Sequence, residues 1–132
     1  MIFVDASAIV AILTDESDGR ALAGRMVEDA DRTTSPIAIY EATLAIIRKR
    51  QWSVQESRDL VAGFVTAAKI EIMGVTESHG DIALDAFRRF GKGRHPARLN
   101  MGDCFAYACA KTLNAPLLFK GDDFARTDIE AA

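Results

Sequence analysis

The stretch Met1-Ile2-Phe3-Val4-Asp5-Ala6-Ser7 opens the chain and decides its architecture. Its apolar run Ile2–Val4 is continuous, which is typical of a strand buried on both faces of a parallel sheet. The apolar run Ala8–Leu13 after Ser7 predicts a helix. Asp5 is therefore expected just past the carboxyl end of a central strand, where open α/β sheets bind their ligands. The alternative is that Asp5 or Ser7 only caps the following helix.

The composition is that of one globular domain. Of the 132 residues 49% are hydrophobic and 27% are charged, so residues 1–132 are predicted to form a single domain. The net charge of −3 excludes a protein that coats nucleic acid by bulk positive charge, and leaves a local patch or a bound cation. Cys104 and Cys109 fit neither a metal knuckle nor a redox pair, and are expected to be buried thiols. No apolar run is long enough for a signal peptide or a membrane span, so we expect a cytosolic protein.

Helix-like and strand-like patterns follow one another along the rest of the chain. The predicted helices cover residues 8–13, 17–29, 37–50 and 53–69, a stretch capped by Thr76 or Ser78, and residues 101–113. The predicted strands after the first are a brief one within 31–35, then 70–73 and 117–119. This order predicts an α/β domain in three layers, with a central parallel sheet flanked by helices.

Helical periodicity predicts which side chains face the core. In helix 37–50 the apolar stripe is Ile37, Tyr40, Leu44 and Ile47, and Glu41 projects from it. Inward-facing side chains are predicted on three further helices: Leu22, Met26 and Val27; Val54, Leu60, Val61, Phe64 and Val65; and Ile82, Leu84, Phe87 and Phe90. His79 is expected to face solvent.

Four acids occupy positions that a purely structural interpretation explains poorly. Asp5 and Asp122 each follow a predicted strand, whereas Glu41 and Asp103 lie on apolar helix faces. Each has a structural alternative, such as a cap, an ion pair, a helix-dipole partner or a turn. A cluster of buried carboxylates is costly unless a cation offsets their repulsion, and carboxylate oxygens are what Mg²⁺ or Mn²⁺ prefers. Together the four acids predict a shared metal site.

Four sequence segments resemble PIN domains, and most of all the VapC class of toxin ribonucleases. They are Ile2–Ser7, the Tyr-Glu-Ala at 40–42, the Leu-Asn-Met-Gly-Asp-Cys-Phe-Ala-Tyr-Ala at 99–108 and the Pro-Leu-Leu-Phe-Lys-Gly-Asp-Asp-Phe at 116–124. The resemblance implies a PIN-like fold and an acidic quartet of Asp5, Glu41, Asp103 and Asp122 that binds Mg²⁺ or Mn²⁺ and catalyses RNA hydrolysis. It further implies that Ser7 and Asp123 support the quartet; which of Asp122 and Asp123 faces the site stays open. A cognate antitoxin and a homodimer are the partners it implies.

The segment before Asp103 is basic. Residues 88–98 carry Arg88, Arg89, Lys92, Arg94, His95 and Arg98, and the loop 91–99 leads directly into the helix that holds Asp103. A charge run is most often a solvated surface, but an RNA backbone that approaches a carboxylate pocket needs nearby cations. Arg94, His95 and Arg98 are therefore the predicted RNA-binding residues.

Other families fit the sequence less well. A phosphatase of the haloacid-dehalogenase type would have Asp-x-Asp where this chain has Asp5-Ala6-Ser7, and a receiver domain would need an acceptor Asp after a mid-chain strand. The remaining alternative is a non-catalytic PIN-like interaction module whose acidic pocket binds a basic peptide of a partner.

Overall fold

A computed structural model describes all residues, 1–132, as four strands and six α-helices. The strands are Ile2–Val4 (β1), Arg32–Thr34 (β2), Ile70–Ile72 (β3) and Leu117–Leu118 (β4). The helices are Ala6–Leu13 (α1), Gly19–Glu28 (α2), Pro36–Arg50 (α3), Val54–Ala67 (α4), Glu77–Phe90 (α5) and Met101–Leu113 (α6). A 3₁₀ turn, Phe124–Arg126, follows β4.

The strands form one parallel sheet in the order β3-β2-β1-β4. Phe3 of β1 lies opposite Thr33 on one side and Leu117 on the other. β1 is thus an interior strand, and the chain leaves it towards β2 and returns later on its opposite side through β4. The carboxyl ends of β1 and β4 border the point where the strand order reverses, which is where sheets of this kind form a ligand crevice.

Helices cover both faces of the sheet, which confirms the predicted three-layer α/β domain. Ile2 and Val4 pack into a cluster with α1 to α4, whereas Phe3 points the other way and packs with α5 and α6. All three side chains have no exposed surface. The continuous apolar run at the start of the chain therefore reflects burial on both faces of β1.

Three predicted helix starts are confirmed by their capping hydrogen bonds. Ser35 accepts a hydrogen bond from the Ala38 amide with Pro36 in the first turn, and Ser53 forms a capping box in α4. Asn100 forms a third cap at the start of α6. In α2 the helix begins at Gly19 and not at residue 17, and Asp18 at the cap position makes no side-chain capping hydrogen bond.

The predicted apolar stripe of α3 is wrong. The side chains that α3 buries are Ala38, Ala42 and Ile46, while Tyr40 is 63% exposed. The predicted stripe and the observed buried residues both have helical spacing. The face with small alanines is turned inward because α3 packs closely against α1, α4 and α6. Glu41 precedes Ala42 and lies at the border of this face, half-buried.

The inward faces of α2, α4 and α5 also differ in part from the prediction. Val27, Val54, Leu84 and Phe87 are exposed. On α5 the inward positions are taken by Ala83, Ala86 and His79, so His79 is buried and does not face solvent. Its Nδ1 accepts a hydrogen bond from the Thr76 amide at 3.0 Å, which makes His79 part of a helix cap.

The two cysteines lie among the buried residues of α6. Cys104 and Cys109 are both free and buried, and burial raises the pKa of each thiol to about 11. Their burial is as predicted, and the raised pKa disfavours the reactive thiolate form. No helix combines the length and the apolar character that crossing a bilayer requires.

Candidate active site

Asp5 lies at the carboxyl end of β1 and is held there from both sides. Its amide donates to the Leu118 carbonyl at 3.0 Å, which continues the pairing of β1 with β4. Its carboxylate accepts from the Ser7 amide at 3.0 Å and from the Ser7 hydroxyl at 2.5 Å. Asp5 therefore does cap α1, but only Oδ2 is used for this, and the residue still faces the crevice. The capping role and a role in the site are compatible.

Ser7 connects the first and last strands of the sheet. Its hydroxyl donates to Asp5, and it accepts a hydrogen bond from the Lys120 amide at 3.0 Å. Lys120 follows β4 by two residues. The hydroxyl thus links the Asp5 carboxylate to a backbone group 113 residues away in the sequence.

Asp103 is the third residue of α6 and closes a capping box. Its amide donates to Asn100 Oδ1 at 2.9 Å, and its Oδ2 accepts from the Asn100 amide at 3.1 Å. This reciprocal pair fixes the side chain at the start of the helix. The cap explains why an acid is tolerated at the end of an otherwise apolar helix, and it places the carboxylate in the crevice.

Glu41 reaches the same crevice from α3. Its carboxylate packs directly against Gly102 in the first turn of α6. Asp5, Glu41 and Asp103, which lie far apart in the sequence, are thereby brought to one cleft of about 610 Å³. The apolar lining of the cleft includes Tyr40, Leu44 and Met101. Its other charged lining residues are Glu16, Arg48 and Lys120.

The three acids are desolvated and repel one another. Burial, followed by the charges of Asp5 and Asp103, raises the pKa of Glu41 to about 7. Burial raises the pKa of Asp103 to about 6, assisted by Asp5 and Asp123 and opposed by the hydrogen bond from Asn100. Burial also raises the pKa of Asp5, although the Ser7 hydrogen bonds oppose it. Such pKa values clustered in one cleft are a physical mark of a functional site.

The donor set fits a hard divalent cation. It consists of carboxylate oxygens only, and the repulsion among them is the energy that a cation offsets. No three His, Cys, Asp or Glu side chains lie close enough together to form a ready-made metal-binding group. Asp5 and Asp103 each direct one oxygen to a cap and keep the other available for a ligand.

The structure places Asp123, and not Asp122, in the electrostatic environment of Asp103. The charge of Asp123 contributes to the raised pKa of Asp103, and Asp123 lines a smaller cleft with Lys92, Arg98 and Asn100. Asp122 is exposed and lines neither cleft. The choice of Asp122 from the sequence is not supported by this geometry. Asp123 is exposed as well, and Gly121 before the two acids has a φ of +100°, a left-handed conformation that glycine adopts readily.

A cluster of charged residues in and beside the cleft was missed by the sequence reasoning. Glu16 forms ion pairs with both Lys120 and Lys49, and these contacts lower the pKa of Glu16. Lys120 could have been found, because it follows β4 at the same sheet edge as Asp5. The role of Glu16 could not be predicted from its sequence neighbours, since its partners lie 33 and 104 residues away.

The three predicted RNA-binding residues of the basic loop lie in different surroundings. Arg94 stacks over Phe87 at 5.3 Å, and His95 accepts a hydrogen bond from the Ala97 amide while its ring packs edge-on against Phe90. These contacts hold the loop itself. Arg98, by contrast, shares the smaller cleft with Asp123, next to the start of α6. Of the three predicted RNA-binding residues, Arg98 is the one that the fold brings towards the acids.

Comparisons with known proteins show which family the chain resembles over its length. The family model of the PIN domain matches residues 2–130. The chain is 43% identical to a ribonuclease VapC of Mycolicibacterium smegmatis over 97% of both chains, and 40% identical to a VapC ribonuclease of Rhizobium meliloti over 98% of this chain and 99% of that one.

Two solved structures share the fold at low sequence identity. One is Mycobacterium tuberculosis VapC20, described as a sarcin–ricin-loop-cleaving toxin, with a TM-score of 0.77, 16% identity and coverage of 100% of this chain and 98% of that one. The other comes from a toxin–antitoxin complex of Klebsiella pneumoniae, with a TM-score of 0.63, 18% identity and coverage of 97% and 93%.

Proposed function

The chain belongs to the PIN domain family, and on that premise we propose that it is a divalent-metal-dependent endoribonuclease, the toxin of a toxin–antitoxin pair. The observation that supports this most is the convergence of Asp5, Glu41 and Asp103 from three different elements on one cleft. In this proposal residues 1–132 form a single nuclease domain with this one catalytic site. Its relatives of 40% identity or more carry the name VapC ribonuclease over nearly their full length.

We propose that Asp5 and Asp103 are the principal ligands of a Mg²⁺ or Mn²⁺ ion, with Glu41 and Asp123 completing the acidic set. A bound ion of this kind lowers the pKa of a water nucleophile and neutralises charge on the phosphodiester oxygens. The protein residues supply the arrangement: Ser7 fixes the rotamer of Asp5, and the Asn100 cap fixes Asp103. No side-chain nucleophile is required.

Cleavage of RNA in vitro tests the proposal. The purified chain should cleave RNA with Mg²⁺ or Mn²⁺ and lose this activity in excess EDTA, as measured by fragment analysis on gels. Two neighbouring variants then test the fourth acid: Asp123→Asn should lower the cleavage rate more than Asp122→Asn, because only Asp123 lies near Asp103. RNA cleavage that persists in EDTA contradicts the metal requirement, and a larger loss in Asp122→Asn contradicts the choice of Asp123.

We propose that the RNA backbone is held by cations around the cleft: Lys120 and Arg48 line the cleft itself, and Arg98 lies beside Asp123 in the smaller cleft. Arg94 and His95 then act mainly by shaping the loop. Because Arg94 and Arg98 carry the same charge on the same loop, they form a matched pair of variants.

Arg98→Ala should weaken RNA binding several-fold and reduce the dependence of log K on log[salt] by roughly 0.7, the contribution of one phosphate contact on a single strand. Arg94→Ala should change the slope less. Binding to the metal-free protein, measured by fluorescence anisotropy across a salt series, gives both numbers. Equal slopes for Arg98→Ala and the wild type would contradict a phosphate contact at Arg98.

We also propose that an antitoxin covers the cleft and that the toxin forms a homodimer. The first proposal rests on the similarity to a chain from a toxin–antitoxin complex. The second is tested by the mass of the chain in solution, where a monomer at all concentrations contradicts it.

A further inference from the structure

Gly102 occupies a position where the backbone itself does not call for glycine. It is the second residue of α6 and is buried, and its φ is not in the left-handed region. A residue with a side chain would favour the helix more than glycine does. The reason for glycine must therefore lie in what surrounds it.

What surrounds Gly102 is the carboxylate of Glu41. A methyl group built on Gly102 would overlap three atoms of Glu41, namely Cδ, Oε1 and Oε2. The helical glycines Gly24, Gly63 and Gly80 have nothing within 4 Å of the same position. Gly102 thus differs from them in providing the space that an acid of the site fills.

We propose that Gly102 is a positioning residue that seats the Glu41 carboxylate against the start of α6. The next residue, Asp103, carries the neighbouring carboxylate, so the missing side chain at 102 sets how closely α3 and α6 bring these two acids together. The carboxylate also lies at the positive end of the α6 dipole, which favours a negative charge there. A side chain at 102 must displace the Glu41 carboxylate from this position while leaving its chemical identity unchanged.

The seat itself is tested without reference to catalysis, by thermal melts in EDTA. In a Glu41→Ala background, Gly102→Ala should raise the melting temperature about as much as the control Gly63→Ala, because alanine favours a helix over glycine. In the wild-type background Gly102→Ala should raise it less, or lower it, since the alanine methyl group and the Glu41 carboxylate compete for the same space. Equal shifts in the two backgrounds would overturn the proposed seat.

The functional consequence rests on the proposed nuclease activity. Gly102→Ala should lower the RNA cleavage rate about as far as Glu41→Ala does, and should add less than twofold to the loss in a Glu41→Ala protein. Gly63→Ala should cleave like the wild type. An active wild type whose Gly102→Ala variant cleaves equally fast would overturn the positioning role. An inactive wild type would instead count against the nuclease assignment. The thermal melts would still show whether Gly102 provides the space for the Glu41 carboxylate.

Discussion

Replacing Asp103 by asparagine is expected to lower the rate of RNA cleavage by on the order of 10³-fold, the scale on which removal of one preorganised electrostatic group acts. Asparagine has nearly the same shape and can still accept the Asn100 amide hydrogen bond in the capping box. The substitution therefore removes the negative charge and leaves the helix cap. Asp5→Asn should have a similar effect, because asparagine is also a good cap for α1.

The control for Asp103→Asn is Glu56→Gln in α4. Glu56 occupies the same third position of a capping box, formed with Ser53, and lies outside the cleft. The Glu56→Gln protein should cleave RNA at the wild-type rate. Melts in EDTA should show that Asp103→Asn is at least as stable as the wild type, because a desolvated charge has been removed. A fully active Asp103→Asn protein contradicts the assignment of the site.

Replacing Glu41 by glutamine is expected to stabilise the metal-free protein at alkaline pH by about 2 kcal/mol, or roughly 5 to 10 °C in melting temperature. The folded state raises the pKa of Glu41 from 4.5 to about 7, mainly through burial and then through Asp5 and Asp103. The folded state thus binds this proton more tightly than the unfolded chain. The stability that the protonated group contributes is complete below pH 4.5 and is lost as the pH rises through 7.

The advantage of Glu41→Gln should therefore be largest above pH 8 and absent near pH 4, as measured by melts in EDTA across this range. Glu16→Gln is a control of opposite sign. Hydrogen bonds from Lys120 and Lys49 lower the pKa of Glu16, so removing its charge should destabilise the protein at neutral pH. A Glu41→Gln advantage that does not change with pH would contradict a desolvated, charge-repelled carboxylate at this position.

The sheet edge was predictable because local patterns determine it. The apolar run before Asp5 fixes an interior strand, and Asn100 followed by an apolar stretch predicted α6 as Met101–Leu113. When β1 and α6 are in place, Asp5 and Asp103 both lie at the carboxyl-end edge of the sheet. Helical periodicity also selected Glu41, although the apolar stripe used for that argument is not the face that α3 buries.

Other features depend on packing that no local pattern encodes. Two faces of α3 have helical spacing, and contact with three neighbouring helices selects the one with small alanines. His79 resembles a surface residue in the sequence, yet its ring serves as the cap of α5 and is buried. Asp122 and Asp123 are neighbours in one exposed turn and share the same local pattern, and only the fold shows that Asp123 lies in the electrostatic environment of Asp103.

The interaction-module alternative shares the same acidic cleft and differs in its chemistry. It predicts that a basic peptide binds where the nuclease account places a metal ion and RNA. The raised pKa values of Glu41 and Asp103 are compatible with either cation. Metal-dependent cleavage by the wild type together with its loss in Asp103→Asn would exclude a purely non-catalytic role.

The most direct test of the central claim, that the acids form one cation site, is a pair of thermal melts of the wild type and Asp103→Asn, each in excess EDTA and in Mn²⁺. We predict that Mn²⁺ raises the wild-type midpoint, with a stabilisation of about 2.7 kcal/mol at a concentration of 100 Kd, and leaves Asp103→Asn unchanged. Equal midpoints of the wild type with and without Mn²⁺ would contradict a shared cation site, and the acidic cleft would then be better explained as the binding surface for a basic partner.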